Sequence, residues 1–173
     1  ILKFILSVNV ILFVSILPLS ANNMDELVSL LEEIEAQGEC AGYLGSTHKN
    51  YSIAGFRNKN EAEKAKQKHF LKAQLIAQDM VNFAMKNKVE GKYFISKKGN
   101  QTCLQEQCFE KKEYIEMMLA SAGLKNAQKE VTKKNISCSD GAWSPCEGGE
   151  PVDNWGLKAG KLYNDKNCRV LLR

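Results

Sequence analysis

The sequence is poor in the residues on which most enzyme chemistry turns. Histidine occurs twice in 173 residues, as His48 and His69, and neither lies in a metal-ligand or nucleophile motif. There is no GxSxG elbow, no P-loop and no CxxC pair. A hydrolase built on a nucleophile elbow, a phosphate-cradling NTPase and the usual zinc modules therefore lack sequence support. Proline occurs only three times and no collagen-like period is present. Long apolar runs are confined to the first nineteen residues, which excludes a multi-span membrane protein. A net charge of +4 is too mild to argue for nucleic-acid binding. With 44% apolar and 25% charged residues, wholesale disorder is excluded as well. Cysteine is the exception to this poverty. Six are present, more than a reduced cytosolic chain of this size normally carries.

The opening stretch explains the cysteines. Lys3 is followed by an apolar run from Phe4 to Leu19, closed by Ser20-Ala21. A single positive charge, an apolar core and a small residue outline a secretory signal peptide over residues 1–21, cleaved after Ala21. Retention of the same run as an anchor is the competing reading. Export makes structural disulfides the expected state of Cys40, Cys103, Cys108, Cys138, Cys146 and Cys168. Many pairings are open to six cysteines. Proximity suggests Cys103 with Cys108 and Cys138 with Cys146, which leaves Cys40 for Cys168. No cofactor and no metal are expected.

The remaining chain reads as an acidic amphipathic helix over residues 22–40 followed by one α+β domain over residues 41–173. Asn23 with Glu26 forms a capping-box pair, Leu27, Leu30, Leu31 and Ile34 repeat at helical spacing, and Gly38 ends the run. Short strands are expected around Gly42–Gly45 and Tyr51–Ala54. A long helix then runs to about Lys88, opened by the capping-box pair Asn60 and Glu63. Its buried stripe is Ala62, Ala65, His69, Ala73, Ile76, Met80 and Ala84. Val89–Ile95 and Gln101–Phe109 read as strands joined at Gly99-Asn100, and a short helix from about Glu110 ends at Gly123. Further strands are expected at Glu130–Cys138, Val152–Leu157, Leu162–Tyr163 and Cys168–Leu172. The fold class is thus α+β: a small antiparallel or mixed sheet packed by one long Ala-rich helix and a shorter helix, preceded by the acidic helix and stabilised by disulfides.

Charge is unevenly spread. Residues 22–40 hold six acidic residues and no basic one, whereas Arg57–Lys98 holds eleven basic residues against four acidic ones. Lys64, Lys68 and Lys72 on the long helix, and Trp143 in the Cys138–Cys146 loop, are the candidate partner contacts. His69 reads as a packing residue with a hydrogen-bonded ring. His48 lies beside Ser46 and Thr47, where a Ser–His relay can be imagined. Trp155 reads as core.

Several segments, taken in order, resemble a bacterial envelope family of small outer-membrane and flagellar-assembly lipoproteins. They are Gly42-Tyr43-Leu44-Gly45-Ser46, Asn60-Glu61-Ala62-Glu63 leading into the alanine-rich helix, Val152-Asp153-Asn154-Trp155, and Cys168-Arg169-Val170-Leu171-Leu172. The chain lacks the lipid-bearing cysteine of that family. The resemblance implies a helix packed on a small sheet and a scaffold or assembly role in the cell envelope. Together these readings point to an exported, periplasmic or secreted, non-enzymatic protein that binds a protein partner or envelope assembly. No nucleic acid is expected as a partner, and no stable membrane span once the leader is removed. The alternatives are a secreted hydrolase with a dispersed site and a secreted effector or immunomodulatory protein.

Overall fold

The computed structural model describes residues 21–87, 95–132 and 152–173. Its elements, in chain order, are α1 (Ala21–Gly45), α2 (Lys59–Lys86), β1 (Ile95–Lys98), β2 (Gln101–Leu104), β3 (Gln107–Phe109), α3 (Glu113–Thr132) and α4 (Val152–Asp165). A 3-10 turn follows at Val170–Leu172. The fold is α+β, with four helices and a three-stranded antiparallel meander in the order β1-β2-β3.

Helix α2 forms for the reasons its sequence offers, but its cap lies two residues earlier than expected. The Asn58 side chain accepts the Glu61 N–H at 2.9 Å, and the Glu61 carboxylate takes the Arg57 backbone N–H at 3.0 Å. Asn58-x-x-Glu61 and Asn60-x-x-Glu63 both fit a capping box. The Arg57 guanidinium decides between them, because its Nε also donates to Glu61 at 2.9 Å. These bonds hold the Glu61 carboxyl below its usual range, the backbone bond contributing most. Of the expected stripe Ala62, Ala65, His69, Ala73, Met80 and Ala84 are buried, joined by Ala77 and Val81, while Ile76 is only partly buried.

Glycines account for most departures from the expected layout. Helix α1 is already formed at Ala21, so Asn23 lies inside it rather than at its cap. Gly38 does not end it either, and the strand expected at Gly42–Gly45 is its last turn. Likewise, Gly123 lies inside α3, which continues to Thr132 through the start of the strand expected at Glu130–Cys138. The physical reason is a helix crossing. A Cβ on Gly123 would stand 2.4 Å from the Glu35 carbonyl oxygen and 2.6 Å from the Glu39 nitrogen. One on Gly42 would stand 2.6 Å from the Ala127 Cβ. The two helices run side by side in the same direction, and only missing side chains let their backbones approach so closely.

The chain end shows the same effect. The strands expected at Val152–Leu157 and Leu162–Tyr163 are one helix, α4, in which Trp155, Ala159 and Tyr163 are buried at i, i+4 and i+8. Gly156 abuts the Thr47 carbonyl and Gly160 the Ile53 side chain, so α4 lies directly on the 47–54 segment. That segment is a run of turns, not the expected strand at Tyr51–Ala54; Asn50 N–H bonds Thr47 O and Ile53 N–H bonds Asn50 O. Cys168–Leu172 turns instead of pairing, after a left-handed Asn167 (φ 53°).

Of the expected hairpin, Ile95–Lys98 and Gln101–Leu104 pair around Gly99-Asn100, with Ile95 opposite Leu104. A second reversal at Gln105-Glu106 splits the expected single strand in two and places Cys103 opposite Cys108. Residues 89–94 of the expected first strand lie outside the described residues.

Two cores result. Leu27, Ile34, Ala73, Met80, Val81, Ile95, Ile115 and Leu119 form an aliphatic one beneath the meander. Cys40, Tyr43, Ala65, Val131, Trp155, Tyr163 and Cys168 form a second around α4. The acidic helix therefore packs on the domain, burying Leu27 and Ile34. Cys40 is bonded to Cys168, and Cys103 to Cys108. Cys138 and Cys146 lie outside the described residues.

Candidate functional site

Helix α2 presents two opposite faces, and they divide the candidate residues between them. On the inner face, His69 is fully buried. Its Nδ1 lies 2.6 Å from the Gln37 Oε1 and its Nε2 3.1 Å from the Tyr163 hydroxyl. Gln37 Nε2 donates to the Leu171 carbonyl at 3.2 Å, so the amide oxygen faces the ring. The consistent assignment is a neutral imidazole whose Nδ1–H donates to Gln37 and whose Nε2 accepts from Tyr163. Burial, reinforced by Lys72 and Lys68, pushes the His69 pKa down to about 4. Burial also pushes Tyr163 up to about 12. His69 thus joins α1, α2, α4 and the 3-10 turn, with every ring nitrogen occupied by a structural partner.

His48 does not meet it. It is exposed in a left-handed conformation (φ 49°) just past α1. The hydroxyls beside it serve the helix end: Ser46 Oγ donates to the Gly42 carbonyl at 3.0 Å and Thr47 Oγ1 to the Leu44 carbonyl at 2.9 Å. A Ser–His relay is therefore not formed there. Among the described residues, no group of three His, Cys, Asp or Glu side chains could hold a metal ion. Nor is any described helix long and apolar enough to cross a membrane.

The outer face of α2 carries the partner candidates. Lys64 and Lys68 are exposed, and Leu71 and Leu75 follow on the same stripe, 55% and 51% exposed. Lys72 differs from its two neighbours. Its ammonium donates to the Leu171 carbonyl at 2.7 Å, so it anchors the 3-10 turn and is not free for a partner. That contact holds the turn against α2, and Val170 in the same turn is 60% exposed. Among the described residues, α1 makes its ion pair with Lys166 just past the end of α4, from Glu39 at 3.6 Å, and not with this basic face. Burial holds the Glu39 carboxyl above its usual range, against the pull of Lys166.

Leu71 and Leu75 are the functional candidates that residue chemistry alone missed. The signal was present, because the alanine stripe places both leucines opposite the core. A second exposed apolar strip, Tyr114, Met117 and Met118, lies on α3, with Tyr114 near Phe109 at 6.2 Å between ring centres. Trp155 is buried as expected, while Trp143 lies outside the described residues. The chain matches no protein-family model, no curated protein and no solved structure.

Proposed function

We propose that the protein is an exported, non-enzymatic binding or scaffold protein of the cell envelope or extracellular space, and that it engages a partner protein through the outer face of α2. The observation that carries this reading is the pair Leu71 and Leu75, each more than half exposed on one stripe with Lys64 and Lys68. Exposed leucines one helical turn apart are costly in water unless something covers them. The adjoining lysines select a partner with an acidic rim. The apolar leader and the two disulfides support export, since such bonds persist in oxidising compartments. The buried use of His69 and the isolation of His48 favour binding over hydrolysis.

The likeness to envelope lipoproteins supports a scaffold role, although its two terminal pieces serve differently from the strands it implies. Gly42–Gly45 closes α1, and Val170–Leu172 forms a 3-10 turn.

A photo-crosslinking residue placed at Leu71 in the native host tests the reading. A discrete protein adduct, absent when the same group sits at Tyr114 and lost in the Lys64→Glu/Lys68→Glu variant, is the expected result. Adducts that ignore the charge reversal, or no adduct at all, would overturn it.

A further inference from the structure

A groove of about 400 Å³ lies between α2 and α3, with the end of α1 as its floor. Gly42 and Gly45 supply that floor, Phe70 and Leu124 the apolar walls, and Lys66 and Lys125 stand on opposite sides. Gly42 is fixed by its contact with α3. Gly45 is not: a Cβ there would meet nothing nearer than the Lys66 Cδ at 3.7 Å, and its backbone is not left-handed. Neither packing nor conformation requires glycine at position 45, yet any larger side chain would occupy the groove.

We propose that this groove binds a short- to medium-chain fatty-acid carboxylate, the chain against Phe70 and Leu124 and the carboxylate between Lys66 and Lys125. The volume falls within the usual range for small-ligand sites. The lining residues span only one helical turn on each wall, about 6 Å of helix, which suits a short chain better than a long one. Lysine stems extend the apolar wall while their ammonium groups reach the mouth. Charge complementarity names the head group, because both charged lining residues are cationic and come from separate helices. Glu63 pairs with Lys66 at 2.6 Å, with both side chains part-exposed. Such pairs are weak enough for Lys66 to turn toward a second carboxylate. This site is distinct from the Lys64–Leu75 stripe and stands or falls separately from it.

Calorimetric titration of the oxidised full chain with decanoate tests the proposal, with decyltrimethylammonium as the same tail bearing the opposite charge. Decanoate should bind at least about tenfold more tightly than the cation. Gly45→Leu should weaken decanoate by about tenfold or more without lowering the unfolding temperature, since it also removes a glycine from a helix. Lys125→Glu, at an exposed position, should weaken it similarly and provides the test if Gly45→Leu does not fold. Equal binding of anion and cation would overturn the proposal. So would unchanged decanoate affinity in the folded Gly45→Leu protein or in Lys125→Glu.

Discussion

Beneath the meander, Leu27, Ile34, Met80, Val81, Ile95 and Ile115 fill one core with aliphatic side chains, and Phe70, Phe83 and Phe109 pack against it only partly buried. Around α4, the second core combines Tyr43, Trp155 and Tyr163 with a disulfide, and the buried His69, Gln37 and Tyr163 hydrogen bonds run along it. The first is held by area removed from water and tolerates changes that keep volume. The second depends on directional bonds and a covalent link, and on backbones brought together by glycines. The difference teaches that one end of this small domain is a generic hydrophobic core. The other is a specified junction, where α1, α2, α4 and the 3-10 turn must all arrive for any of them to be satisfied.

The two disulfides offer the largest effect with which to break that contrast. Cys40–Cys168 closes a separation of 128 residues, and Cys103–Cys108 closes one of 5. In the chain-entropy picture the long closure is worth about 5 kcal/mol and the short one about 2 kcal/mol. Urea titrations of the two double Cys→Ser variants should therefore differ, the 40/168 pair losing much more. Equal losses would mean that the α4 junction holds without its covalent link. Next in size is Gly123→Val. Its added carbons meet the backbones of Glu35, Gly38 and Glu39, which cannot rotate aside. A loss of about 3 kcal/mol or more is expected, measured by thermal unfolding, whereas Gly99→Val, in an open turn with a left-handed backbone, tests strain alone.

The same contrast decides what could be read without coordinates. The aliphatic core was legible, because α2's alanine period and the turn at Gly99-Asn100 follow from local spacing. Both disulfides seen among the described residues agree with the pairings that proximity suggests among the many open to six cysteines. The junction was not legible, for a physical reason. Glycine is ambiguous in sequence: it can end a helix or let two helices touch. Gly38, Gly42 and Gly123 do the second at the α1–α3 crossing, and Gly156 and Gly160 let α4 lie on the turns of residues 47–54. Reading Gly38 and Gly123 as helix ends cut α1 and α3 short and left the last turn of α1 to be taken for a strand. Of the outer face, the lysines were visible as charge. Their separation into exposed Lys64 and Lys68 and an engaged Lys72 depends on where the 3-10 turn lands, which is a long-range fact.

Acid provides a smaller, residue-specific probe of the junction. His69 titrates at about 4 in the folded protein against an ordinary 6.5. Between those values the unfolded chain binds more protons than the native one, so stability falls as pH drops from 6.5 toward 4 and is flat above that window. The loss should reach about 2–3 kcal/mol at pH 4, read from urea midpoints across the range. Glu39 acts in the opposite direction at the acid end, because its folded pKa is raised. His69→Gln should abolish the limb attributable to the imidazole; an unchanged limb would assign it to carboxylates instead.

Tyr163→Phe gives the smallest effect and the sharpest distinction between causes. It removes the hydroxyl that donates to His69 Nε2 while keeping the ring that packs on Phe56 at 5.6 Å. A loss of about 1 kcal/mol is expected, close to what Ile34→Val should cost in the aliphatic core. The two variants separate in acid. Burial is the leading cause of the His69 shift, so the limb between pH 6.5 and 4 should survive in Tyr163→Phe as it does in Ile34→Val. If it disappears only in Tyr163→Phe, the hydrogen bond and not desolvation keeps the imidazole neutral. The junction would then be held by a specific donor and not by its dryness.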